Sequence, residues 1–448
     1  MDHFRLTITD DITEWDYGAY EGVIPGDVNV RRKEQGLGKW NIWIEGCEGG
    51  EKPDQVKERL DRLIEQITEI QKPFIHGGPA PDVMVVAHGH ILRAFVKRWL
   101  KYPMDFEFTM MMEPGAIGIL SYAHHNIEER ALLVGSFRLI LMLRNDIAFT
   151  TTDGVVLSGW FYRPATTTVV VDQPLSCVIL SHGFSAIKDM GLHGFASRFV
   201  SSLELPCLVY DHRGFGTSAT GAGQPRHEIL PDQQIADMQD AITYAQSRAD
   251  VDSDRIAVWG SSYSGGHVLR IGAIDRRVRA VVSQVPCVDG WANYYRLVRS
   301  DFAASMSAAF ADDRISRAVG KPPTTIAVVD KDPLKPSALQ TPDSYVYFSG
   351  WGTHSSWQNE VTLRSIEAMR AYNPAADISR IAPTPLLMLV ADNDVVAPTD
   401  LALEAYSRAH EPKELHLFPG GHFDGYVGDK FQNNVKRQID FLQRHLPE

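Results

Sequence analysis

Gly260-Ser261-Ser262-Tyr263-Ser264-Gly265-Gly266 follows Arg255-Ile256-Ala257-Val258-Trp259, a short apolar run with strand character. Behind it, Val268-Leu269-Arg270-Ile271 reads as helix. A serine at a sharp strand-to-helix turn is held in strained backbone with its hydroxyl pushed out of the fold, which makes a nucleophile elbow. The expectation is a serine hydrolase or acyl transferase with Ser262 as nucleophile. The Gly-x-Ser-x-Gly pattern is imperfect, because Ser264 stands where its second glycine belongs. Serine is small enough for the tight turn, and Gly265-Gly266 keep the helix start open. A shifted register with Ser264 as nucleophile is the alternative, and it sets that residue deeper in the helix.

A serine hydroxyl needs an adjacent base, and the base needs an acid to orient it. With this kind of elbow the three follow in the order serine, acid, histidine. Pro385-Leu386-Leu387-Met388-Leu389-Val390 is a strand, and Ala391-Asp392-Asn393-Asp394 follows its end. Asp394 is the better acid, since the loop must run past the strand to turn a carboxylate towards the histidine; Asp392 is the runner-up. Glu414-Leu415-His416-Leu417-Phe418 is the next strand, and Pro419-Gly420-Gly421-His422 is the loop after it. His422 is then the general base, and His416, within the strand, is structural. An oxyanion hole needs two backbone N–H groups. One is expected from Tyr263, directly after the nucleophile. The other is expected from Phe184, in the loop His182-Gly183-Phe184 after Val178-Ile179-Leu180-Ser181. Asp211-His212-Arg213-Gly214-Phe215-Gly216-Thr217-Ser218 reads as a structural strand-end turn whose Asp–Arg pair shapes the oxyanion loop. Trp291, Tyr294, Tyr295, Trp351 and Trp357 either line an acyl pocket or pack a cap.

The chain has 448 residues, 44% apolar and 22% charged, enough for two or three globular domains. A net charge of −12 and the lack of any Lys/Arg-rich run argue against a nucleic-acid partner. Cys47, Cys177, Cys207 and Cys287 are far apart and form no Cys-x-x-Cys, so buried thiols are expected rather than disulfides or metal ligands. Met1-Asp2-His3-Phe4-Arg5 does not read as a signal peptide, and no apolar run reaches the roughly 18 residues of a membrane span. The expectation is a cytoplasmic protein with a small-molecule or carrier-bound acyl substrate. No cofactor, metal, nucleic acid or membrane is implied, and a homo-oligomer is left open.

From residue 145 the pattern is strand, loop, helix, repeated, as in a parallel sheet with crossover helices. Strands are expected at 155–162, 177–181, 207–210, 255–259, 278–283, 385–390 and 414–418. Helices are expected at 190–202, 233–247, 264–274, 398–409 and 429–445. Between 286 and 380 the order breaks, and a helical cap inserted over the sheet is predicted. Before residue 140 the reading is a buried strand at 83–87, a helix at 57–70, and further strands at 116–122 and 131–137.

Residues from about 145 to 446 resemble the fungal polyketide transferase and thiohydrolase group of α/β-hydrolases, relatives of dienelactone-hydrolase-like enzymes. The segments that carry the resemblance are 181–188, 210–218, 259–267, Trp357-Gln358-Asn359-Glu360-Val361-Thr362 and Gly420-Gly421-His422-Phe423. It implies acyl transfer or hydrolysis of an ester or thioester with a polyketide-like acyl group, in secondary-metabolite biosynthesis. It carries the nucleophile onto Ser262, the acid onto Asp394 and the base onto His422, and leaves the substrate open. The domain expected over 145–448 is thus an α/β-hydrolase fold with its cap at about 286–380.

Residues 1–137 are similar to the C-terminal half of a histidine phosphatase, or phosphoglycerate-mutase-like, domain. Ile12-Thr13-Glu14-Trp15-Asp16-Tyr17-Gly18 resembles the segment of that family's proton donor, which falls on Glu14. Val85-Val86-Ala87-His88-Gly89-His90 resembles its second histidine motif, with His88 at the phosphate site. The Arg-His-Gly that carries the phosphoryl-accepting histidine has no counterpart before Glu14, so the phosphatase site is degenerate and phosphatase turnover is not expected. An incomplete sheet also exposes apolar edge and face. Either the chain joins two neighbouring genes, the favoured reading, or the segment is a docking or regulatory appendage. Arg138-Leu139-Ile140-Leu141-Met142-Leu143-Arg144 at the junction fits translated non-coding sequence as well as a strand. The alternative function is a non-catalytic phosphate-binding or interaction protein, or a residual phosphatase, acting through Glu14 and His88.

Overall fold

Apolar runs closed off by turn residues must bury both faces, and a parallel sheet with helices on each side does this. The computed structural model describes residues 6–75, 82–108, 110, 117–133, 142–164 and 174–446. The chain divides into two compact units, Met1–Phe137 and Arg138–Glu448.

In the second unit the runs form eight strands: β1 Met142–Thr150, β2 Val156–Pro164, β3 Leu175–Ser181, β4 Cys207–Tyr210, β5 Val251–Ser261, β6 Val278–Gln284, β7 Leu386–Ala391 and β8 Lys413–Phe418. They form one sheet in the order β8-β7-β6-β5-β3-β4-β2-β1. β1 and β2 are antiparallel, as are β2 and β4, and every other neighbouring pair is parallel. Because side chains alternate along a strand, the sheet feeds two cores. Cys177, Ile179, Ile256 and Val258 join one, under α2 Pro231–Gln246, α3 Tyr263–Ile274 and α8 Thr399–Arg408. Val178, Leu180, Ala257 and Trp259 join the other, under α1 Leu192–Leu203 and α9 Gly428–His445. All four cysteines are unpaired and buried.

β1 is the strand the sequence does not announce. Its burial is that of an exposed edge, with Asn145 and Asp146 in mid-strand, so no apolar run marks it. Its first residues, Met142–Arg144, come from the junction run, and the rest of that run lies outside the described residues. The break after β6 holds α4 Gly290–Leu297, α5 Ala303–Ala318, α6 Pro342–Gly352 and α7 Leu363–Arg370. A two-residue bridge pairs Val361 and Thr362 with Ile326 and Thr325.

The first unit packs an amphipathic helix, Pro53–Gln71, against a second, Gly89–Trp99, around Trp15, Leu60, Ile64, Ile91 and Phe95. A hairpin pairs Ile119–Tyr122 with Arg130–Leu133; residues 116 and 134–137 of the expected strands lie outside the described residues. The strand expected at 83–87 is corrected. These residues form no strand and are not buried, with Met84 88% and Val86 81% exposed. The apolar run is there, but the described residues offer it no neighbouring strand. Among the described residues no helix is long and apolar enough to cross a membrane.

Candidate active site

β5 ends at Ser261 and α3 begins at Tyr263, which leaves Ser262 between them at φ 58°, ψ −117°. A non-glycine residue holds such backbone only where its surroundings over-determine it. Two glycines supply the fit. A Cβ on Gly260 would lie 2.1 Å from the Ser264 carbonyl oxygen, and one on Gly266 would lie 2.4 Å from that of Cys287. Ser262 is partly exposed, while Ser261 and residues 263–266 are buried.

Ser264 explains the imperfect motif. Its hydroxyl donates to the His182 carbonyl at 2.5 Å and lies 3.0 Å from His212 Nε2. The residue is fully buried, so the shifted register fails.

The loops after β7 and β8 bring two more side chains to Ser262. Its Oγ lies 2.9 Å from His422 Nε2, and His422 Nδ1 lies 2.7 Å from Asp394 Oδ2. Asp394 Oδ1 accepts the amides of Val396 and Ala397 at 2.9 and 2.8 Å, so the carboxylate cannot swing. Asp392 is exposed and its Oδ1 accepts Gly420 N–H at 2.9 Å, which makes it a brace for the histidine loop. His416 bonds Asn434 at 3.2 Å, away from the line.

Tyr263 N–H occupies the first helical position, where no intrahelical carbonyl reaches it. Phe184 N–H makes no backbone hydrogen bond among the described residues. A Cβ on Gly183 would lie 2.7 Å from Ser262 Cβ, so glycine is what lets this loop close on the serine. The arrangement can hold an acyl carbonyl between a hydroxyl and two amide donors.

Beneath the loop is a histidine that sequence reasoning left unassigned. Gly183 N–H donates to His182 Nδ1 at 2.8 Å, so the ring proton is on Nε2, which donates to the Met190 carbonyl at 2.7 Å. Burial lowers His182 to a pKa of about 4, and burial likewise holds His212 at about 4. Both rings are neutral near pH 7. The strand-end turn also needs correction. Asp211 does not pair with Arg213; it accepts Lys188 N–H at 2.7 Å and meets Lys188 Nζ at 2.5 Å. Arg213 turns instead to Asp237 and Asp153. The oxyanion loop is thus tied down by Asp211 through Lys188, because the loop runs directly over the end of β4.

The cleft above Ser262 is lined by Leu339, Tyr347, Phe348, Val396, Phe423 and Tyr426 among others, with no Asp, Glu, Lys or Arg among them. The acyl-pocket reading of five cap aromatics is corrected. Trp291 and Tyr295 stand 53% and 45% exposed, Trp357 is buried with its Nε1 3.3 Å from Ser185 Oγ, and neither Tyr294 nor Trp351 lines the cleft. The sequence signal that would have found the true lining is Phe423, directly after the base.

In the first unit Glu14 accepts the amides of Ile91 at 2.9 Å and His90 at 3.3 Å, filling the start of the helix that His88 precedes. His88 is exposed and makes no side-chain hydrogen bond among the described residues, so the two sit at one helix terminus with no hydrogen bond between them. His90 Nδ1 instead bonds Tyr17. Among the described residues no cluster of three or more His, Cys, Asp or Glu is placed to hold a metal ion.

The alpha/beta hydrolase fold family model matches residues 177–429, and the histidine phosphatase superfamily (branch 1) model matches residues 2–133. The quorum-quenching protein AidA of Acinetobacter baumannii is 36% identical over 67% of this chain and 95% of its own. The polyketide transferase grgF of a Penicillium species is 32% identical over 68% of this chain and 97% of its own. The crystal structure of the α/β-hydrolase GrgF from Penicillium superposes with a TM-score of 0.60 at 30% identity, over 68% of this chain and all of that one. Sedoheptulose 1,7-bisphosphatase of Saccharomyces cerevisiae is 36% identical over 30% of this chain, and the match spans 62% of that enzyme.

Proposed function

The chain belongs to the α/β-hydrolase family and is an enzyme, with a histidine-phosphatase segment fused ahead of it; on that premise we propose a serine-dependent acyl hydrolase or acyl transferase. Its substrate is an ester or thioester of a polyketide-like acyl group, within secondary metabolism of the fungal kind, as the name of the polyketide transferase relative suggests. A cytoplasmic setting fits four unpaired cysteines.

The observation that carries the reading is the line from Ser262 Oγ through His422 to Asp394, at 2.9 and 2.7 Å, starting from a left-handed serine. Ser262 Oγ attacks the acyl carbonyl carbon while His422 Nε2 takes its proton. Asp394 orients the ring and stabilises the imidazolium. The Phe184 and Tyr263 amides hold the oxyanion, which is stronger in the transition state than in the substrate. Collapse expels the alcohol or thiol, and His422 returns the proton to the leaving oxygen or sulfur. Water or a second hydroxyl then attacks the acyl-enzyme, loses its proton to His422, and frees Ser262. The neutral cleft suits an uncharged acyl chain.

A fluorophosphonate probe should label the enzyme at Ser262. Ser262→Ala should abolish labelling and lower p-nitrophenyl ester hydrolysis by about 10³-fold or more. Labelling that survives the substitution overturns the reading.

A further inference from the structure

One residue of the cap reaches past the substrate cleft to the loop that carries the Phe184 amide. Tyr347 on α6 donates its hydroxyl proton to the Met190 carbonyl at 2.9 Å, and its oxygen lies 3.3 Å from His182 Nε2. The same carbonyl accepts the His182 Nε2–H. The opposite nitrogen of that ring accepts Gly183 N–H, one peptide before Phe184. The Tyr426 ring lies parallel to His182, with centroids 5.8 Å apart. The turn carrying the carbonyl is crowded: Gly191 has φ 94°, and a Cβ there would meet Tyr426, Trp351 and Tyr347 within 4 Å.

We propose that Tyr347 is a positioning residue that couples seating of the cap to assembly of the oxyanion hole. The proposal rests on Ser262 being the acyl nucleophile. With α6 seated, the Met190 carbonyl has two donors and the His182 ring is wedged, so the 183–184 peptide keeps its N–H aimed at the oxyanion. With α6 lifted, the carbonyl loses one donor and the ring loses a neighbour, and the peptide is free to rotate. Substrate enters through the open cap, and the donor is aligned only when the cap closes over the acyl group.

The ring and the hydroxyl do separable jobs. The Tyr347 ring stacks on Phe423 at 4.3 Å and lines the cleft, so it serves acyl binding. Among the described residues the hydroxyl's hydrogen-bond partners are His182 and Met190, both in the segment below. Tyr347→Phe should therefore leave KM for a short p-nitrophenyl ester within about twofold and lower kcat about tenfold. It should weaken binding of a boronic-acid transition-state analogue by the same factor. Phe348→Leu, which trims the lining and removes no hydrogen bond to the loop, should raise KM and leave kcat within about twofold. Active-site titration with a fluorophosphonate corrects each rate for the fraction of folded enzyme. An unchanged kcat per titrated site in Tyr347→Phe, or a loss confined to KM, overturns the coupling. A wild-type enzyme that takes no fluorophosphonate and cleaves no ester overturns the nucleophile reading instead.

Discussion

His182 and His212 lie almost wholly buried below the nucleophile, and burial lowers each to a pKa of about 4 from the usual 6.5. In the unfolded chain both imidazoles protonate near 6.5; in the fold they resist until about 4. Stability is therefore fully present above pH 6.5, drains away as the pH falls from 6.5 towards 4, and levels off below that. Each ring accounts for on the order of 3 kcal/mol across the window. Protonating His182 also removes the lone pair that accepts Gly183 N–H, so the oxyanion loop loosens as the fold weakens. Urea midpoints measured from pH 7.5 to 4 should trace this fall. His212→Asn should flatten it by close to one proton, and parallel curves for the two proteins would count against the assignment. Ser262, His422 and Asp394, which the structure brings into one hydrogen-bonded line, were legible because each sits beside a strand end that the sequence announces. The roles of His182 and Tyr347 were not, since each depends on a carbonyl or ring brought in from a distant segment.

At the scale of elements, the central strands were legible for a physical reason. β3, β4, β7, the second half of β5 and most of β6 are buried on both faces, so they read as apolar runs that neighbouring turns cut to length. β1 escaped because an edge strand is held by backbone pairing and tolerates Arg144, Asn145 and Asp146. The segment 83–87 shows the converse error, in which an apolar run was granted a sheet that the described residues do not contain. The lining of the cleft was hidden because α6 shows no clear amphipathic face, so nothing in its sequence says which side looks at Ser262. Helix α3 is the element on which the elbow depends, and its seat is a contact between Gly266 and the Cys287 carbonyl. Gly266→Ala should cost about 2–4 kcal/mol in denaturant unfolding and lower activity with it, because the helix must shift to admit the methyl group. An alanine variant of wild-type stability would show that the seat is looser than the contact implies.

For the whole molecule, every side chain assigned to the acyl site lies between residues 182 and 426, and the second unit has two cores of its own. A chain of residues 138–448 should fold and keep kcat on a p-nitrophenyl ester within about a factor of two. A drop beyond tenfold would mean that the histidine-phosphatase segment supplies something to catalysis. The buried cysteines have a last consequence. Burial pushes Cys47 up to about 11 and Cys177 and Cys287 up to about 12, and raises Cys207 well above the ordinary thiol range. Thiolate is scarce at neutral pH, and the sulfurs are shut away from reagents. Soft electrophiles such as iodoacetamide should pass this protein by, while hard phosphorus electrophiles should find Ser262, whose hydroxyl faces His422. On the proposed mechanism, the enzyme should be silent in cysteine profiling of a mixed proteome and visible in serine profiling, and that contrast would be its chemical signature.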